Sequence, residues 1–105
     1  MKMIRAIIRP EKVEDVANAL DTQGFPALTK IEVFDRGKQR GLQVGSITYS
    51  ELPKTMLLIV VDDPDIEQVI ETIQHSARTG NIGDGKIFVT DVIETYTIRT
   101  GEWIV

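Results

Sequence analysis

Apolar and polar residues alternate over residues 2–9, with Ile4, Ala6 and Ile8 on one face and Met3, Arg5, Ile7 and Arg9 on the other. A period of two over that length predicts a strand with one buried and one partly wet side. Pro10 suits the first turn of a helix. Val13, Val16, Ala17 and Leu20 follow at the i, i+3, i+4, i+7 spacing of an apolar helical stripe, and Gly24 is placed to end it. Residues 27–35 return to strand, carrying the β-branched Thr29, Ile31 and Val33. The same succession then recurs. "KTMLLIVVD" (54–62) is a continuous apolar run, short enough for a strand buried on both faces. Asp63 and Pro64 are the residue types expected at an N-cap and a first helical position. Ile66, Val69, Ile70, Ile73 and Ala77 form a second stripe, which Gly80 is placed to stop. "KIFVTDV" (86–92) reads as a fourth strand and "ETYTIRT" (94–100) as a short strand-like tail. The order β-α-β, long loop, β-α-β predicts an α+β fold: a ferredoxin-like βαββαβ sandwich, with two helices on one face of an antiparallel sheet. At 105 residues the chain is expected to form one domain, 1–105.

Two segments exceed what such a fold requires. Residues 36–53, "RGKQRGLQVGSITYSELP", join strands that a two- to five-residue hairpin could connect. Loops beyond about 12–15 residues are uncommon in compact domains and are usually functional or disordered. This one carries three glycines and three cations and suits a mobile binding finger. The second segment is "TGNIGDGKIFV" (79–89), whose Gly80 to Lys86 spell G-x-x-x-x-G-K. It is not a Walker A loop. Ile87 stands where that motif needs a hydroxyl, and the segment runs from helix into strand, whereas a P-loop runs from strand into helix. An anion here would be held by loop amides and cationic side chains. A plain turn with a glycine cap is the competing reading, and it accounts for Gly80 but not for Gly83, Asp84, Gly85 and Lys86.

Composition narrows the chemistry. The chain is 42% hydrophobic and 27% charged, an ordinary globular balance. Nothing in it approaches the roughly 20 apolar residues of a membrane span. "MKMIRAIIRP" lacks a signal-peptide apolar block, so a chain mature from Met1 and cytoplasmic is expected. With no cysteine, disulfides, thiolate metal sites and a cysteine nucleophile are excluded. A single histidine, His75, excludes a multi-histidine metal site within one subunit and reads as a surface residue. A net charge of −4 argues against nucleic acid as the main partner. Cations are nonetheless gathered at Arg36, Lys38 and Arg40 and again at Lys86 and Arg99, which suits a small anionic ligand.

Taken together, "MIRAIIRPEKVEDV", "TGNIGDGKIFV" and "IRTGE" (98–102) resemble the PII (GlnB-like) family of nitrogen-regulatory signal proteins, in the right order and over essentially the whole chain. The resemblance implies a trimer that binds ATP or ADP in clefts between subunits. Residues 79–86 correspond to the family's B-loop, 36–53 to its T-loop and 94–105 to its C-terminal segment. Nucleotide contacts carried over in this way are Thr29, Gly37, Lys38, Gly83, Asp84, Gly85, Lys86 and Arg99. Gln39, Arg40, Gly41 and Lys54 match positions for 2-oxoglutarate, with Lys54 pairing its far carboxylate and Gln39 contributing to Mg2+. Lys38 stands where many relatives have Arg, and Thr97 where many have a second tail arginine, so the phosphates would have one cation fewer. Tyr49 does not match the tyrosine modified in some relatives.

The short loop resembles the nitrogen-fixation-linked, NifI-type subgroup. That implies direct inhibition of dinitrogenase together with a second PII paralogue, relieved by 2-oxoglutarate, in a homomeric or mixed trimer. A general PII sensor controlling an ammonium transporter or a nitrogen-assimilation enzyme is the alternative. An acylphosphatase-like enzyme is more remote, because no nucleophile with an adjacent base is present. An RNA-binding module would need stacking aromatics, and only Phe88 lies in a candidate strand. The expectation is a regulatory ligand-binding protein, with no catalytic residue, no nucleic acid and no membrane insertion.

Overall fold

The computed structural model describes residues 1–36, 42–44, 47–49 and 51–104. Four strands form one antiparallel sheet: β1 (Lys2–Ile8), β2 (Thr29–Asp35), β5 (Leu52–Val61) and β6 (Lys86–Asp91), in the spatial order β2-β5-β1-β6. Helices α1 (Val13–Thr22) and α2 (Ile66–Ala77) connect them and pack on each other over one face. This is the ferredoxin-like arrangement. Register explains the core: Ile4 lies opposite Ile59 and Val89, and Ala6 opposite Leu57 and Ile87. The inward set Ile4, Ala6, Ile8, Leu57, Ile59 and Val61 meets Val16 and Leu20 of α1 and Val69, Ile73 and Ala77 of α2. Each helix therefore buries the stripe that its apolar spacing encodes.

Gly24 ends α1 as its position implied. Its φ of +94° lets the N–H of Phe25 reach Leu20 O at 2.8 Å and its own N–H reach Asp21 O at 3.0 Å. This is the paired closure of a Schellman turn. Both helices are preceded by a short 3-10 turn, Pro10–Lys12 and Asp63–Asp65.

Several local expectations need correction. Asp63 does not cap α2; its carboxylate takes the α-ammonium group of Met1 at 2.7 Å, because the fold sets the chain start beside it and an ionised donor is the stronger partner. The run at 54–62 is not buried on both faces. Leu57, Ile59 and Val61 are buried under the helices, whereas Met56 and Leu58 are half-buried and Val60 is exposed. The segment 36–53 is not wholly irregular. Leu52 and Pro53 already pair with Asp35 and Phe34, and β3 (Leu42–Val44) pairs with β4 (Ile47–Tyr49) inside it. Three-residue strands are too short for alternation to stand out. Residues 94–100 do not form one strand: β7 (Thr95–Tyr96) pairs with β8 (Trp103–Ile104). The intervening turn is closed by Gly101 N–H on Thr97 O at 2.7 Å and Thr97 N–H on Glu102 O at 2.9 Å.

Leu20, 1% exposed, bridges the helix layer and the sheet. Leu20→Ala should lower unfolding stability by about 2–5 kcal/mol, the cost of a large-to-small change in a packed core. Urea unfolding monitored by circular dichroism measures it, with a loss below 1 kcal/mol contradicting the packing described.

Candidate functional site

The glycine-rich segment is shaped by a carboxylate. Helix α2 ends at Ala77 because Arg78 turns extended (φ −71°, ψ 132°), three residues before the stop expected from Gly80. The N–H groups of Thr79 and Gly80 then donate to Asp84 Oδ2, each at 2.9 Å, and the Thr79 hydroxyl donates to Asp84 Oδ1. Asn81 N–H donates to Thr79 Oγ1 at 3.1 Å. Arg9 Nε completes the set on Asp84 Oδ1 at 3.2 Å. These donors hold the Asp84 carboxyl far below the usual carboxylate range. The Thr79 hydroxyl contributes most, then the Thr79 N–H; desolvation opposes them, and Gly80 N–H and Arg9 each contribute less than that opposing effect. Gly80, at φ +89°, serves the turn that presents its amide to Asp84 rather than the helix end.

Sheet register brings the cations to this loop. Ile8 pairs with Thr55, and Ile7 with Lys86, so the next row of the ladder sets Arg9 between Lys54 and Asp84. Lys54 is buried, and its ammonium group donates to Gly83 O at 2.5 Å. An ammonium removed from water needs such an acceptor. Arg9 sends Nη2 to Ile82 O at 2.9 Å.

Gly85 is required by contact. A Cβ there would lie 1.7 Å from Ile7 O, and its φ is +106°. The loop therefore lies directly on the β1 backbone, which sets where β6 begins.

The structure brings together Lys54, Gly83, Asp84, Gly85 and Lys86, the last exposed at the loop exit. It does not bring Thr29 to them. Thr29 lies in the row Thr29–Leu58–Arg5–Phe88, on the opposite edge strand. Three interstrand spacings, about 14 Å, separate it from β6. Arg99 sits exposed in the turn between β7 and β8. Gly37, Lys38, Gln39, Arg40 and Gly41 lie outside the described residues. Among the described residues no group of three or more His, Cys, Asp or Glu is placed to hold a metal ion. None of the helices among them is long and apolar enough to cross a membrane. His75 is exposed on α2. Arg9 and Thr79 were not singled out from the sequence. Arg9 becomes visible once β1 and β6 are paired, since the register sets it opposite Asp84; Thr79 carries no comparable mark.

Comparison with known proteins follows the same lines. The family model "Nitrogen regulatory protein P-II" matches residues 1–102. "Nitrogen fixation nifHD region GlnB-like protein 1" of Methanothermobacter marburgensis is 64% identical over 102 residues, 97% of each chain. The protein of that name from Methanothermococcus thermolithotrophicus is 58% identical with the same coverage. "Nitrogen regulatory protein P-II 1" of Methanothermobacter thermautotrophicus is 49% identical over 97% of this chain and 92% of its own.

Two outcomes follow from the loop's construction. Gly85→Ala meets a backbone penalty of about 1–2 kcal/mol from its positive φ alone, and the contact with Ile7 O adds to it. Its urea midpoint should fall, and amide exchange at the start of β6 should accelerate; unchanged exchange there would contradict the contact. Asp84 has a lower pKa folded than unfolded, so its stabilising contribution is complete above the ordinary aspartate value near 3.9. That contribution disappears as pH falls through the folded-state value. Urea stability of the protein and of Asp84→Asn should thus differ at neutral pH and converge in strong acid. A constant difference over that range would show that the carboxylate is not engaged as described.

Proposed function

Because this chain belongs to the nitrogen regulatory protein P-II family, we propose that it is a signal-transduction protein that senses ATP or ADP together with 2-oxoglutarate. Its target in this reading is dinitrogenase, which it inhibits with a paralogous partner until 2-oxoglutarate releases it. The observation that carries the ligand site is the loop at 79–86. It is held in one shape by Asp84, lined by Arg9 and Lys54, and leaves Lys86 exposed beside Gly85. A glycine loop with surrounding cations is suited to polyphosphate. The Lys54 ammonium, beside the loop, would pair with a carboxylate of 2-oxoglutarate. When bound, magnesium offsets phosphate charge and links the nucleotide to the keto acid; Gln39 would contribute to holding it.

A second copy completes the site. Thr29 and the glycine loop occupy opposite edges of one sheet, so one ligand of nucleotide size reaches both kinds of residue most simply across a subunit boundary. The sheet face away from the helices supports this. Ile31, Val60 and Phe88 are exposed there, and Ile7, Met56 and Leu58 are half-buried. Burying that apolar surface favours association, and a trimer that closes around it accounts for the apolar run at 54–62. For the target, the relatives at 64% and 58% identity carry nitrogen-fixation region names, whereas the relative at 49% carries the general one. This supports dinitrogenase over a transporter or an assimilation enzyme.

Lys86→Ala should weaken ATP binding about ten- to a hundred-fold in calorimetry, the effect of losing one charge-assisted contact, with the fold intact. Tight 2-oxoglutarate binding in EDTA without nucleotide would contradict a shared site. Replacing residues 42–50 with a short glycine linker should abolish inhibition in a dinitrogenase activity assay while sparing assembly and ATP binding. Full inhibition by that variant would place the docking surface on the body of the protein.

A further inference from the structure

The geometry points to Arg9 as a positioning residue: its forked contact to Ile82 O and the Asp84 carboxylate fixes the Ile82–Gly83 peptide group so that the Gly83 N–H, beside the Asp84 N–H that Lys54 orients, faces an incoming anion. The inference rests on reading residues 79–86 as the phosphate site, and it assigns the device that gives that site its polarity.

Arg9 and Lys54 do not stand free to meet a ligand. Arg9 donates through Nη2 to Ile82 O at 2.9 Å and through Nε to Asp84 at 3.2 Å, while Lys54 donates to Gly83 O at 2.5 Å. Two successive carbonyls are thereby drawn to the same cationic side. Among the described residues no peptide bond is cis. In a trans peptide the N–H points opposite to the C=O of the preceding residue. Holding Ile82 O therefore aims the Gly83 N–H outward, and holding Gly83 O does the same for Asp84 N–H. Among the described residues no acceptor is engaged by either group. Gly83 is exposed and takes φ +101°, which allows the turn. Two adjacent outward amides form the kind of concavity that receives phosphate oxygens. Close fit matters as well, since a Cβ at Gly83 would stand 3.2 Å from Arg9 Nη2.

A guanidinium is the group for this task because it spans two acceptors in fixed geometry. An ammonium at the same position keeps the charge but reaches one of them. This separates positioning from simple attraction. If Arg9 acted as a charge, Arg9→Lys would retain affinity and Arg9→Met would lose it. If it acts by its fork, both fail alike.

The test is calorimetric titration of Mg-ATP into the wild-type protein, Arg9→Lys and Arg9→Met, with 15N–1H spectra of the nucleotide-free proteins. Both variants should bind about tenfold more weakly, and in both the Gly83 and Asp84 amide resonances should move while the sheet core stays in place. Full affinity in Arg9→Lys, or unmoved Gly83 and Asp84 resonances in either variant, would overturn the proposal. If Arg9→Met does not fold, Arg9→Lys decides alone. A wild-type protein that does not bind ATP would refute the phosphate-site reading instead. The nucleotide-free spectra would then still decide whether Arg9 orients the loop.

Discussion

The guanidinium of Arg9 joins two parts of the chain that are far apart in sequence and stands level with a third. It leaves the end of β1, reaches Ile82 O and the Asp84 carboxylate across the loop, and lies in the same ladder row as Lys54 at the entrance of β5. Because β1 is flanked by both β5 and β6, a side chain just past its end lies between Lys54 and the loop that leads into β6. The loop depends on this row for its direction and on Gly85 for its seat against Ile7. Asp84 couples the two by tying the loop's start at Thr79 and Gly80 to its end.

Local electrostatics here run against the net charge. The chain is acidic overall, yet this corner sets Arg9, Lys54 and Lys86 around one carboxylate. That carboxylate is already committed to Thr79, Gly80 and Arg9, which is why its proton affinity is so low. It cannot neutralise the remaining cations as well, and the corner keeps a positive character. A buried lysine that spends its hydrogen bond on a backbone carbonyl is costly for a fold to maintain. Lys54 is therefore a poor source of stability for the fold.

Periodic features were legible in the sequence, and features set by pairing were not. The stripes ending at Leu20 and Ala77 and the alternation through Ile4, Ala6 and Ile8 depend only on local spacing, and they fix the layers. Asp63 has the right type and place for an N-cap, but Met1 lies 62 residues away and competes for it. The tail failed for a similar reason: Thr95 and Tyr96 find partners only at Ile104 and Trp103, with residues between them forming the turn. The apolar run at 54–62 has the composition of a doubly buried strand, and one chain covers only its helix-facing side. At the site, Gly83, Gly85 and Lys86 stood out by their residue types. Arg9 looked like an ordinary outward strand position, because its role follows from register across three strands.

In this reading the loop is preshaped, with Arg9 and Lys54 holding its carbonyls and its outward amides left for phosphate. A crystal structure of the protein with bound ATP tests this most directly. Phosphate oxygens are expected within about 3 Å of the Gly83 and Asp84 nitrogens, with the Arg9 contacts to Ile82 and Asp84 retained. Phosphates bound away from residues 79–86, or bound only after Arg9 has left Asp84 to contact them itself, would contradict it.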